Sequence, residues 1–461
     1  MRTAFQRARL AVAVTLLAAA APLAYAAVSA EEAEKLKGNE LTPFGAERAG
    51  NADGTIPAWD GGLTGGSRYD GKGKRQDPFA GDKPLYSVTA SNMGEYEAVL
   101  TEGTKAMLQK YPDSYRIDVY ETRRTFAAPD WYYDNTFANA TRASAGPAPS
   151  YAPTDAFGGV PFPLPKNGAE VMWNHLLHWR GHAYEQPMTN ALTSADGRHV
   201  VTAVGNSQVQ IPYFDPKGSL ETFQNQHKGD YWLFRMVNDG PPIRAGEAII
   251  GRENLNPDQT RTWVYLTGQR RVRMLPNSCC DTPTPAAAGV AGFDDLQVWL
   301  GRLDRFDWNL VGKKEMLIPY NANKSQQAPN IDALLMANHL NPDYVRWERH
   351  RVWVVEATLR DGQRHTASKG TYYIDEDSWR AVTGERYDAK GDLWKVLYNL
   401  PVVAPELPGF VQGPHGFYDL IAGTWYASNL EANHQGNLVL KEGGWPDNHF
   451  TPASLTGSSL R

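Results

Sequence analysis

From residue 182 onward, apolar and polar side chains alternate in short stretches, each closed by Gly, Pro, Asn or Asp. The stretches are 182–188, 198–205, 208–214, 230–238, 246–253, 261–267, 270–275, 303–311, 314–320, 351–359, 364–368, 370–375, 379–386 and 391–398. A period of two sends successive side chains to opposite faces of a strand. Short strands at this cadence predict an antiparallel sheet or barrel. In "DYWLFRMV" (230–237), Tyr231, Leu233 and Val237 oppose Trp232, Phe234 and Met236. In "TWVYL" (262–266), Trp263 and Tyr265 oppose Val264 and Leu266, and in 350–359 Trp353 and Val355 oppose Val352 and Val354. Both faces are therefore apolar, whereas a sheet with one wet face reads apolar-in and polar-out. Such a sheet either forms a two-layer sandwich core or encloses something apolar.

Helical spacing is confined to a few places. Residues 93–112 and 168–181 read as helices, stopped by Pro112 and Gly181. Short helices are expected at 30–37, 292–300, 330–338 and 417–422. Residues 115–129 read as a strand, and 131–142 as a strand or a short helix. Residues 145–168 are Pro/Gly-rich and irregular. There is no βαβ rhythm, no Gly-rich phosphate loop and no internal repeat. The expected fold is α+β: a large, curved antiparallel sheet, unclosed like a half-barrel, with a few helices at its mouth.

The N-terminus adds a destination. "MRTAFQRAR" carries three arginines and no acid, and "LAVAVTLLAAAAPLAYA" runs apolar to Ala24-Tyr25-Ala26. That is a cleavable secretory signal peptide over 1–26, cleaved near Ala26. The mature chain is expected in the periplasm, and no later run is apolar enough to span a membrane. Four parts follow: the leader; a Gly/Pro-rich arm with a short helix over 27–92; a helical and irregular part over 93–181; and the antiparallel β domain with a C-terminal extension over 182–461.

Charge narrows the partners. The 461-residue chain carries a formal net charge of −5, which becomes −8 once the three leader arginines are removed. A mildly acidic chain lacks the basic stripe of a nucleic-acid binder. Fourteen Trp and 22 Tyr suit strands, and they also suit apolar or sugar ligands.

Candidate catalytic and metal chemistry is thin. Cys279 and Cys280 are the only cysteines, adjacent, and without Cys-x-x-Cys spacing. They read as incidental thiols, with a vicinal disulfide as the alternative. His175, His178 and His182 fall at i, i+3 and i+7, but Gly181 ends the helix first, so packing is the better reading and no metal is expected. Asp375, Glu376 and Asp377 resemble a β-turn. As a carboxylate pair in a cleft, Asp375 and Glu376 would instead serve a hydrolase. No serine sits in a nucleophile elbow, and no cofactor is expected.

Several long segments carry a resemblance: "GVPFPLPKNGAEVMWNHLLHWRG" (159–181), "GREN" (251–254), "WVYLTGQRRVRMLP" (263–276), "DRFDWNLVGKKEMLIPYN" (304–321) and "RWERHRVWVVEATLRDGQRHTASKGTYYIDEDSW" (346–379). They resemble, in order, the signature segments of a Gram-negative periplasmic family of unknown function labelled outer-membrane lipoprotein-sorting-like. Its C-terminal half is similar to LolA/LolB-type lipoprotein carriers, unclosed barrels that hold acyl chains under a lid. The resemblance implies a non-enzymatic carrier of lipid-like molecules, working with an outer-membrane barrel and an RND-type exporter. Two features depart from it. The N-terminal region is extra, and Cys280 precedes Asp281-Thr282-Pro283 where a Tyr is expected. For a carrier, the expected cavity wall is Trp232, Phe234, Trp263, Tyr265, Trp353 and Tyr372. Arg270, Arg271 and Arg273 are candidates for its rim or for a partner surface, since guanidinium binds phosphate and carboxylate bidentately. Pairing with acids on neighbouring strands is their alternative role. An envelope adaptor and a lipid or polysaccharide hydrolase remain the rival functions.

Overall fold

Two-residue periodicity becomes one sheet of sixteen strands in the computed structural model. It describes residues 28–455 except Ser67 and Asn277, so the leader and its cleavage point lie outside the described residues. In chain order the strands are β1 (Tyr86–Val88), β2 (Ile117–Val119), β3 (Ala183–Thr193), β4 (His199–Gln210), β5 (Asp230–Gly240), β6 (Ala248–Asn254), β7 (Arg261–Leu266) and β8 (Arg271–Leu275). They continue as β9 (Phe306–Pro319), β10 (Trp347–Leu359), β11 (Lys369–Asp375), β12 (Ala381–Tyr387), β13 (Leu393–Asn399), β14 (His415–Asp419), β15 (Trp425–Leu430) and β16 (Val439–Leu440). In space the order is β1-β2-β10-β11-β12-β13-β14-β15-β3-β4-β5-β6-β7-β8, with β9 on β10 and β16 on β3. Neighbours are antiparallel, apart from a parallel contact of β2 with β10 at Val119 and Trp347. The two ends do not pair, so the sheet is not closed into a barrel.

Some expected boundaries moved, for local reasons. The strands expected at 303–311 and 314–320 are one strand, β9, with a register shift between Leu310 and Gly312. Of 115–129, only Ile117–Val119 pairs, and 364–368 is not a strand. Residues 131–142 lie in a helix, Asp130–Arg142. Residues 417–422 are not a helix: 417–419 end β14 and 420–422 enter the turn of a β14–β15 hairpin. There the Asp419 carboxylate accepts from the Ile421 and Ala422 amides, and Gly423 takes φ +69°. Of residues 292–300 only Phe293–Asp295 form a single 3-10 turn. Gln297 and Val298 take left-handed φ of 52° and 74°, and this interrupts any helical run.

Three described helices reach nine residues or more: α1 (Glu102–Lys110), α2 (Asp130–Arg142) and α3 (Gly168–Leu176). All nine residues of α3 are buried, and Asn167 caps it by accepting from the Glu170 amide. Gly168 admits close approach, since a Cβ there would lie 2.9 Å from the Trp308 carbonyl on β9. The Gly-rich arm enters the same core. Phe44 is wholly buried, with its ring edge-on to Trp59 at 5.3 Å, and the Trp59 indole donates to the Phe126 carbonyl. On the other face of β5–β7, Phe450 and Leu455 of the C-terminal segment cover Leu233, Ala248 and Ile250. A two-sided apolar sheet is thus covered by α3 and the Gly-rich arm on one side and, over β5–β7, by the C-terminal segment on the other. Among the described residues no helix is long and apolar enough to cross a membrane.

Candidate functional site

Cross-strand pairing builds the wall of a cavity. Trp232 on β5 sits opposite Glu253 on β6, Phe234 opposite Gly251, and Met236 opposite Ile249. Facing pairs share one side of the sheet. The Phe234 ring lies on Gly251, where a Cβ would come within 1.9 Å of it, so only glycine fits. Six adjacent strands, β14, β15, β3, β4, β5 and β6, line the same space. Laid flat, they would span roughly 24 Å, so the sheet curls around it. The irregular segment 278–302 closes the other side with Phe293, Leu296 and Leu300. The cavity measures about 110 Å³, on a scale where one water needs roughly 10–15 Å³.

The covering segment is anchored by charge. Arg386 on β12 donates to Asp294 at 2.7 Å and lies 2.9 Å from Asp295, and Lys395 on β13 reaches Asp295 at 2.8 Å. His365 sits 2.9 Å from Asp294. Burial alone would raise the Asp294 carboxyl, but Arg386 and His365 outweigh it and hold the group well below the usual carboxylate range. Further along, Gln297 lines the cavity and accepts from Arg180 Nη1 at 2.7 Å. Arg180 also donates to the Leu176 carbonyl at 3.0 Å, at the C-terminus of α3, and its guanidinium lies over the Trp232 ring. Nearby Arg380 donates to the Gln412 side chain and the Phe410 carbonyl. Neither arginine has a carboxylate in ion-pair contact among the described residues. Burial lowers both, Arg380 to about 9. Glu253, on the cavity wall, has only Thr260 as a side-chain hydrogen-bond partner among the described residues, and burial pushes it up to about 7.

Of the six aromatics expected in the wall, Trp232 and Phe234 line this cavity. The other four do not. Trp263 and Tyr265 pair with Ile250 and Ala248, so alternation turns them to the opposite face, under Phe450 and Leu455. Trp353 stacks on Trp379 beside Lys313, and Tyr372 packs edge-on to Trp299 in the main core. Arg270, Arg271 and Arg273 are not on the cavity rim. They occupy the β7–β8 turn and the terminal strand β8, exposed, and without a carboxylate partner among the described residues.

The hydrolase pair is enclosed rather than open. Asp375 Oδ2 accepts from the Ser378 amide, the Ser378 hydroxyl and the Tyr320 hydroxyl. Glu376 pairs with Lys313 at 2.8 Å and with Arg351 at 3.3 Å. His350, Asp375 and Asp377 bring ligand atoms within 4.8 Å of one another. However, Arg124 already forks onto Asp377 at 2.6 and 2.9 Å, and a cation would have to displace it. His175 and His178 stack at 5.4 Å with ring nitrogens on the Trp299 carbonyl, the Ala381 amide and the His175 carbonyl, while His182 faces the Ile211 carbonyl. Cys279 lines the cavity and accepts from the buried Cys280 thiol at 2.7 Å, a contact that draws Cys279 down to about 7.

The family model described as "Protein of unknown function (DUF1329)" matches residues 87–456. An uncharacterized protein of Pseudomonas aeruginosa is 36% identical over 455 residues, covering 95% of each chain. Among solved structures, a domain from Vibrio parahaemolyticus described as outer membrane lipoprotein-sorting is 15% identical, at a TM-score of 0.43, over 62% of this chain and 97% of its own. A DUF1329 protein from Desulfovibrio piger is 14% identical, at 0.40, over 60% and 92%. A LolA superfamily protein from Nitrosomonas europaea is 13% identical, at 0.36, over 62% and 98%.

Proposed function

We propose that this chain, which belongs to the DUF1329 family, is a periplasmic, non-enzymatic carrier or binding protein for a lipid-like hydrophobic molecule. The observation that carries the reading is the cavity between the curled sheet and segment 278–302, with Trp232, Phe234, Met236, Ile249, Phe293 and Leu296 on its walls. A preformed apolar space with a few polar groups is what a small hydrophobic ligand needs. Asp375, enclosed by Ser378 and Tyr320, and Glu376, ion-paired to Lys313 and Arg351, leave the hydrolase reading without an open cleft. The signature segments add an outer-membrane barrel and an RND-type exporter as the partners such a carrier would serve. The unpaired arginines of β8 would be the docking surface for one of them.

The test uses the uncharged fluorophore N-phenylnaphthylamine with the mature protein purified without detergent. One saturable site is expected. Met236→Glu places a charge on the wall and should weaken binding roughly tenfold or more. Trp263→Ala, on the opposite face, should leave binding unchanged. No saturable binding, or equal binding by Met236→Glu, would sink the reading.

A further inference from the structure

Resting on the carrier reading, we infer that the cavity takes a single-chain amphiphile with an anionic oxygen head group, carboxylate or phosphate. Arg180 is its receptor, and Gln297 holds that place until the ligand arrives.

Four observations converge. Arg180 is buried, 3% exposed, and meets no carboxylate. Its guanidinium has five N–H donors, and only Nη1 and Nη2 are engaged, both by neutral carbonyl oxygens, while Nε has no partner. A buried cation left without an anion is costly. Capping α3 through the Leu176 carbonyl uses one donor and does not require an arginine buried this deeply. Next, Arg180 lies directly behind the cavity wall. It is held between Gln297 and Trp232, both of which line the cavity, and its guanidinium is 5.4 Å from the Trp232 ring centre. Third, the side chain that covers it belongs to the covering segment, not to the sheet, so it can move without breaking the wall. Fourth, that segment is strained at this point. Gln297 and Val298 are both left-handed, and a β-branched residue in that region is an outlier. Strained backbone at a ligand clamp is a recurring arrangement. A head group would trade the neutral Gln297 carbonyl for a charge-assisted, bidentate pair on Arg180, while its chain lies along Phe234, Met236 and Ile249.

The test compares three ligands with the same chain: laurate, dodecyl phosphate and dodecanol. The wild type should bind one or both anions roughly tenfold or more tightly than the alcohol. The arm that wins names the head group. Arg180→Met should abolish this preference while dodecanol still binds. Gln297→Ala removes the competing oxygen, so it should strengthen anion binding more than dodecanol binding and widen the preference. If Arg180→Met does not fold, Gln297→Ala alone still decides. Equal binding of the three ligands by the wild type, or a preference unmoved by these variants, overturns the inference and leaves the carrier reading standing. Failure of all three to bind overturns both.

Discussion

Two buried guanidiniums flank the same covering segment, and they are treated in opposite ways. Arg386 meets Asp294 and Asp295, with Lys395 and His365 completing the cluster. Arg180 meets the Gln297 amide carbonyl and a helix-end carbonyl. Its neighbour Arg380 likewise has only carbonyl acceptors. Burial works against all three charges. At Arg386 the acids outweigh it and the group is held above its ordinary value, whereas Arg180 and Arg380 are lowered. Only Leu296 separates Asp295 from Gln297, so one short stretch is nailed down at one end and placed over an uncompensated cation at the other. A cluster whose charges are all paired fixes structure, even with Arg386 Nε left without a hydrogen bond. An unsatisfied one beside a cavity is a place for something to bind.

The largest expected effect breaks the charge-paired cluster. Arg386→Met leaves two buried carboxylates with only Lys395 and His365, and should cost about 3–5 kcal/mol of stability, read from urea unfolding. Arg180→Met should behave differently. Leaving two carbonyls without donors costs about 1–3 kcal/mol each, but removing a desolvated charge returns several kcal/mol. The net change should stay within about 1 kcal/mol. If the two variants cost the same, the contrast between the clusters is wrong.

Strand alternation made Trp232, Phe234 and Met236 visible as one face, and the structure places that face on the cavity. The same alternation could not say which face of β7 looked inward, because Trp263 and Tyr265 are as apolar as Val264. Their register against Ile250 and Ala248 decides it, and register is a property of the pair, not of one strand. The covering segment departs from its helical spacing for a different reason. "GFDDLQVWL" has helical spacing, but its apolar residues are spread between the cavity and the core, and its acids are held by Arg386 and Lys395, remote in sequence. Arg180 carried a usable signal, a cation just past a mostly apolar stretch, Leu176-Leu177-His178-Trp179, since a buried polar group is the informative kind. Its lack of an acid partner appears only once the chain is folded.

Glu253 supplies the smallest test and sharpens the comparison from the acid side. A carboxyl without a cation can shed its charge by taking up a proton, which an arginine cannot do in this range. Burial raises Glu253 from the ordinary 4.5 to about 7. Between those pH values the folded chain holds a proton that the unfolded chain has released. Its contribution to stability is therefore full at low pH and is lost as pH rises toward 7. Other groups titrate in the same window. Glu431 is also raised by burial to about 7, and His175, lowered by burial to about 3, acts in the opposite sense. The wild-type slope alone is thus ambiguous, but its difference from Glu253→Gln is not. The variant should gain in urea midpoint relative to wild type between pH 5 and pH 8, with the gain concentrated below about 7. An equal difference at both ends would mean that Glu253 is charged throughout, and that a counterion reaches it in the folded cavity.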